Sequence, residues 1–479
     1  MLHRNLGTGP LLKPALTQIK VIPPRALHRL AMKLRSELVS ARVPRYTSYP
    51  TAPHFNVGVN PETFRLWLRE LPREKPLSLY FHIPFCDSLC WFCGCHTRAV
   101  NNYSPIASYL EMLRKELIVV SDLLGETRMV SHIHFGGGSP TILSPQDIAR
   151  LAGQIRERFE VLQSAEFAVE IDPRGLTNDT IEAFAKSGVT RASVGVQDIN
   201  PIVQRAINRW QPESVTRDAV QRLRGAGISA LNIDVMYGLP FQNDDDVRRT
   251  LDATLALEPD RLSLFGYAHV PDMKPHQKLI DETSLPSAED RMRHYDLAQA
   301  ILVEHGYQPI GLDHFAVPTD HLAIAARTGR LFRNFQGYTT DNAEALIGFG
   351  ASAISSLPQG YAQNTSDAPG YRTKIAKGEI AIARGRALTS EDRLRRTIIE
   401  RLMCDLTVDI DKAAAPFGKT ASDFNFELNQ LKLCQQDGYV QVEGNRITVP
   451  DSMRMAVRLV CAVFDAYLTP QTARHAVAV

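Results

Sequence analysis

Four thiols crowd ten residues of one stretch, HIPFCDSLCWFCGCHTR (82–98): Cys86, Cys90, Cys93 and Cys95, spaced Cys-x3-Cys-x2-Cys-x-Cys. Thiolates packed this closely suit a metal centre. Structural zinc usually takes two separated pairs of ligands, commonly Cys-x2-Cys twice, which staple two chain segments together. No second pair follows here, so zinc would draw Cys95 in as its fourth ligand. Iron–sulfur clusters also use thiolates and accept compact loops. Three thiolates on a 4Fe-4S cube leave one iron without a protein ligand, and an open coordination position allows chemistry.

Other residues stand out by type and setting. Asp234 sits among apolar neighbours in LNIDVMY, where an unpaired carboxylate is expensive, so it should meet a hydroxyl pair or an internal salt bridge. Gly136-Gly137-Gly138 precede Ser139; three glycines more commonly mark a plain turn, and glycine there would also let backbone approach a ligand without a Cβ in the way. The remaining cysteines, Cys404, Cys434 and Cys461, are isolated in apolar surroundings and read as packing residues.

Six β-rich runs must position these groups: LSLYFHI from Leu77, VSHIHF from Val130, FAVEI from Phe167, RASVGV from Arg191, ALNIDVM from Ala230 and RLSLFGY from Arg261. Each is followed by a helix-like stretch. Ser144 caps one of these, with Pro145 in its first turn and Asp147 closing a capping box, and Gly188 stops another. Such alternation predicts an α/β fold with a parallel sheet, and six units fit an incomplete barrel better than an open sheet. The cysteines then lie just after the first strand, where barrel loops carry chemistry.

The texture changes after residue 384. LTSEDRLRRTIIERLMC opens on a capping box of Thr389 and Asp392, and GYVQVEGNRITV reads as two short strands around Glu443-Gly444-Asn445. A small helical domain with a β wing is expected over 385–479. At the other end, the first 36 residues hold seven basic residues and no acidic one, with prolines at 10, 14, 23 and 24. That stretch, 1–40, is expected to be a poorly ordered extension rather than a targeting peptide.

Composition excludes several classes. The 479 residues, 44% hydrophobic and 22% charged, are ordinary for a globular protein. Lys+Arg 54 against Asp+Glu 52 gives +2, and the wing lacks a basic stripe, so nucleic-acid binding is not expected. No run of about 18 apolar residues suggests a membrane span. Seven cysteines with a lopsided cluster argue against a secreted disulfide framework and for a reducing, cytoplasmic setting.

Cys86-x3-Cys90-x2-Cys93, after a strand and with an aromatic before the third cysteine, resembles the signature of the radical S-adenosylmethionine superfamily. RYTSYPTA (45–52), YFHIPFC, FCGC, FGGGSPT, EIDPR, GVQD, INRWQ, NIDVMYGLP, FGYAHVP, RNFQGYTT and GFGASAIS together resemble the oxygen-independent coproporphyrinogen III oxidase family over 41–479. The resemblance implies an incomplete (β/α)6 barrel over 41–384, with an amino-terminal segment covering the substrate. It implies a 4Fe-4S cluster on Cys86, Cys90 and Cys93, two molecules of S-adenosylmethionine, and radical decarboxylation of two propionates of coproporphyrinogen III to vinyl groups. An electron donor and an unidentified terminal acceptor go with that reaction, in a monomer.

Position by position, the resemblance places Tyr80, Phe92, Gly137, Gly138, Ser139, Glu170, Gln197, Arg209, Asp234, Ala268 and Ile354 against S-adenosylmethionine, and Tyr80 and Cys95 at the chemistry. Ser139 stands where the family usually has threonine and keeps the hydroxyl. Asp234 would take the ribose hydroxyls, Arg209 a carboxylate, and Arg45 a substrate propionate. Two rivals are weighed: a haem chaperone of the same superfamily, which typically lacks the FCGC cysteine and RYTSYPTA, and a non-catalytic zinc-binding module. Metal analysis of anaerobically purified protein separates them.

Overall fold

The computed structural model describes residues 43–468; the basic extension predicted over 1–40 lies outside them. Six parallel strands form its centre: β1 (Leu77–Ile83), β2 (Arg128–Gly137), β3 (Phe159–Ile171), β4 (Arg191–Gln197), β5 (Ala230–Tyr237) and β6 (Arg261–Gly266), each hydrogen-bonded to the next. Helices cross between them and cover the outer, apolar face of the sheet, while the inner face turns polar residues such as His134, Glu170, Ser193 and Asp234 into the barrel. In β1 every residue but Tyr80 is buried. The result is an incomplete (β/α)6 barrel whose strands all end at one mouth.

The sheet is wider than the six runs suggested. Beyond β6 come β7 (Gln308–Ile310) and β8 (His314–Ala316), and beyond β1 come β9 (Ala345–Phe349), β10 (Ile354–Leu357), β11 (Gly360–Asn364) and β12 (Ile382–Ala387), twelve strands in all. Only β9 among these six is parallel to its inner neighbour. β3 begins at Phe159, eight residues before the apolar run, because its first half is half-exposed and polar.

Helix ends follow local chemistry with one correction. Ser144 accepts the Asp147 N–H at 3.2 Å, but Asp147 does not return the bond. The Ser144 N–H donates instead to the Tyr103 hydroxyl at 2.8 Å, and that hydroxyl donates to Asp147 at 2.7 Å. The Thr389–Asp392 box is reciprocal, with bonds of 3.0 and 2.9 Å, and starts the helix Ser390–Asp405. Gly188, at φ 82°, ends Asn178–Lys186.

The carboxy-terminal helices surround a second apolar core built on Leu394, Ile398, Leu402, Phe424 and Phe464. Its wing has three strands: Thr407–Asp409 joins the hairpin of Gln441–Glu443 and Arg446–Thr448. Tyr46 and Tyr49 of RYTSYPTA pack into this core. Tyr46 donates to Asp465 at 3.1 Å, and Asn56 exchanges two backbone bonds of 2.8 Å with Gly385. The amino-terminal segment thus straps the helices to the sheet. Among the described residues no helix is long and apolar enough to cross a membrane.

Candidate active site

The cysteine loop leaves β1 and returns beside it. Phe85–Cys86 pairs with Arg98–Ala99, so residues 87–97 are a closed excursion at the barrel mouth. Cys90 is buried, Cys86 and Cys93 are half-buried and Cys95 is exposed. Burial pushes the Cys86 thiol up to about 12, with Cys93 and Cys90 adding to it and the Thr97 hydroxyl at 3.3 Å opposing. The Cys95 thiol serves Cys93 as donor, which lowers Cys93 and raises Cys95.

Two guanidiniums face the Cys90 sulfur, Arg174 Nη2 at 3.5 Å and Arg209 Nη1 at 3.6 Å. Both grip Asp172. Arg209 reaches its two oxygens at 3.2 and 3.5 Å and the Gly195 carbonyl at 2.7 Å; Arg174 holds it at 2.6 Å. Burial alone would raise the Asp172 carboxyl, but Arg209 and Arg174 outweigh it and bring it to about 2. Arg209 is therefore neither a surface pair nor a fork free for a ligand carboxylate: its terminal nitrogens are taken by Asp172, and its buried Nε has no protein partner.

The glycines sit where protein atoms crowd the backbone. A Cβ on Gly137 would fall 2.5 Å from the His82 ring, one on Gly138 2.5 Å from the Phe85 carbonyl, and one on Gly136 2.6 Å from Glu170. Gly137 also adopts φ 112°, and its N–H donates to Glu170 at 2.9 Å. Burial would raise Glu170, but His134 at 3.2 Å and this N–H hold it below the usual range. The Ser139 hydroxyl is 2.6 Å from that of Thr141.

Cys95, Glu170 and Asp234 line one cavity of about 330 Å³ inside the barrel. Asp234 has neutral partners there, Asn232 at 2.8 Å and Ser193 at 3.0 Å, and burial raises its carboxyl. Tyr80, half-buried, donates to or accepts from His82 Nδ1 at 2.9 Å. Gln197 ends β4 at φ 70°, buried. Phe92 packs with Val203, Ile207, Tyr267 and Ile280. Ile354 opens β10 and packs by Phe55 and Tyr361, away from the cavity lining. Arg45 lines a separate hollow with Asp313, Arg333 and Arg458 and donates to the Gly266 carbonyl at 3.4 Å.

Sequence reasoning assigned no role to Asp172, Arg174, His134, Lys274, His276 or Gln277. EIDPR carries the first two, but only their convergence with Arg209 on Cys90 gives them meaning.

The donor set fits the group the spacing suggested. Three thiols share one loop, two guanidiniums face one of them, and a buried Arg209 Nε lacks a protein acceptor. Among the described residues no three His, Cys, Asp or Glu converge on a single-ion position; a cube asks for no such convergence, since each thiolate takes its own iron.

Residues 80–254 match the model of the radical SAM superfamily, and residues 388–452 that of the HemN C-terminal domain. The oxygen-independent coproporphyrinogen III oxidase of Bradyrhizobium diazoefficiens is 49% identical over 91% of this chain and 97% of its own length. That of Pseudomonas aeruginosa is 40% identical over 89% and 93%. The solved structure of Escherichia coli coproporphyrinogen III oxidase (HemN), a radical SAM enzyme, superposes with a TM-score of 0.85 at 38% identity, covering 89% of this chain and all of that one. With the cysteine loop at the mouth of an incomplete barrel and full-length likeness at this level, the chain belongs to the oxygen-independent coproporphyrinogen III oxidase family.

Proposed function

We propose that this chain converts two propionate side chains of coproporphyrinogen III to vinyl groups, giving protoporphyrinogen IX for haem synthesis. The observation that carries this is the cavity joining Cys95, Glu170 and Asp234 directly behind the loop of Cys86, Cys90 and Cys93. Those three thiolates hold the 4Fe-4S cluster; with S-adenosylmethionine it supplies the one-electron chemistry that removes a hydrogen atom from a propionate β-carbon. Each propionate then loses carbon dioxide and one electron, and the electron needs an external acceptor. Two conversions use two S-adenosylmethionine molecules.

The chain's own groups have separable tasks. Arg174 and Arg209 place positive charge at the Cys90 sulfur. Glu170, held ionised, offers an acceptor to an ammonium or sulfonium, and Asp234 with Ser193 offers acceptors to ribose hydroxyls. Tyr80 and Cys95 stand at the reacting side. We assign 41–384 to the chemistry, with its amino-terminal segment around Tyr46 and Tyr49 covering the substrate, and 385–479 to a separate helical and winged domain on which that segment packs. Free cysteines suit a reducing, cytoplasmic setting.

Anaerobic reconstitution tests the reading. The protein should show broad iron–sulfur absorption, release 5′-deoxyadenosine under dithionite and form protoporphyrinogen. Changing any of Cys86, Cys90 or Cys93 to Ala should remove all three signals, whereas Cys95→Ser should lose mainly the porphyrin product. Coproporphyrinogen left unchanged by cluster-replete parent protein with a physiological reductant would overturn it.

A further inference from the structure

The barrel is open, because β1 and β6 pair with β9 and β8 on their far sides rather than with each other, so the loops that follow them are not joined through strands. They are joined through side chains. Three residues after β6 reach the carbonyls of the cysteine loop: Gln277 Nε2 donates to Phe92 at 3.1 Å, His276 Nε2 to Cys93 at 2.7 Å and Lys274 Nζ to Cys95 at 2.9 Å.

Gln277 is almost wholly buried, and its amide is saturated within the fold. It also donates to the Ala268 carbonyl at 3.2 Å and accepts the Val270 N–H at 2.6 Å, which ties the clamp to the end of β6. Beneath it, Phe92 packs on Tyr267 and Ile280 from the same segment. On the other side, Trp91 donates its N–H to the Ile207 carbonyl at 2.9 Å. The loop carrying Cys93 and Cys95 is therefore fixed from outside, whatever the thiols do. Cys95 is further tied to Cys93, its N–H donating to Cys93 Sγ at 3.4 Å.

We propose that Lys274, His276 and Gln277 are positioning residues that hold Cys95 in the cavity beside Glu170 and Asp234, and so couple S-adenosylmethionine cleavage to decarboxylation. Cluster retention is a separate matter, since the clamp grips backbone carbonyls, while Arg174 and Arg209 face the Cys90 sulfur and Thr97 the Cys86 sulfur. This rests on the role assigned to Cys95 above.

The test uses reconstituted holoenzyme carrying Lys274→Met, His276→Leu or Gln277→Leu, with Lys274→Arg as the variant that keeps a donor. Iron content and visible spectrum should match the parent. The ratio of 5′-deoxyadenosine released to vinyl groups formed should rise roughly three- to tenfold, the population change expected from one lost hydrogen bond of ordinary strength. Alkylation of Cys95 by iodoacetamide, followed by mass spectrometry in the cluster-loaded protein without substrate, should change rate by a similar factor. Lys274→Arg should restore both. Unchanged ratio and unchanged alkylation in all three variants would overturn the clamp, and so would loss of the cluster in all three. Cys95→Ser run alongside separates the two readings: if it stays coupled, the role of Cys95 fails, whereas an uncoupled Cys95→Ser beside fully coupled clamp variants overturns the clamp alone.

Discussion

The ion pair between Arg209 and Asp172 should be measurable as a coupling energy in the folded protein. Both side chains are largely buried, 7% and 19% exposed, with nitrogen and oxygen 3.2 Å apart. Unit charges at that distance attract by about 5 kcal/mol at an effective dielectric of 20, before the cost of burial is taken off. The carboxyl gives a second measure. Its fall from 3.8 to about 2 corresponds to roughly 2 kcal/mol, shared between Arg209 and Arg174. Because Arg174 shares that effect, the Arg209 part read by a cycle is expected at about 1–2 kcal/mol. The sign is that of a depressed carboxyl: the stabilisation is present above pH 3.8 and is lost as pH falls towards 2. A double-mutant cycle of Arg209→Ala and Asp172→Asn, read by anaerobic urea denaturation of reconstituted protein at neutral pH, isolates this pair from the lost Gly195 bond and from the cavity left by Arg209. Coupling below about 0.5 kcal/mol would refute the argument, because a pair this buried cannot be solvated as cheaply apart as together.

Gly137→Ala should lower the thermal midpoint, since φ 112° and a Cβ 2.5 Å from the His82 ring together impose roughly 1–3 kcal/mol of strain; an unchanged midpoint would mean the backbone is free to move there. Glu116, buried and pushed up to about 7 by that burial despite bonds from Tyr371, Gly350 and Asn364, makes the protein lose stability as pH rises from its ordinary 4.5 through about 7. Glu116→Gln should flatten the thermal midpoint across that window, and a variant whose pH profile tracks the parent would assign the loss to another group.

What the sequence could show is set by range. The six central strands are rich in buried apolar and β-branched residues and stand out as runs, so their existence is readable in the sequence. The outer strands are three to six residues long, and one of them, β7, contains Pro309, so nothing periodic marks them. The first half of β3 failed for a different reason: it lies on β2 with its side chains half in water, and a polar stretch gives no strand signal.

The site divides along the same line. Cysteine spacing is local chemistry and identified the loop, but Lys274 lies 179 residues from Cys95 and acts through a backbone carbonyl, a contact that constrains neither its neighbours nor any repeat. Asp172 and Arg209 are 37 residues apart, and each alone looks like a solvated charge. The glycines show the limit most sharply. Their positions mark where a side chain is forbidden, and the structure shows the His82 ring, the Phe85 carbonyl and the Glu170 carboxylate within 2.5 to 2.6 Å of where a Cβ would stand. A sequence can report that space is tight; only the assembled barrel tells which groups make it so, and that one of these glycines, Gly137, turns its N–H onto Glu170 and so helps to aim it into the cavity.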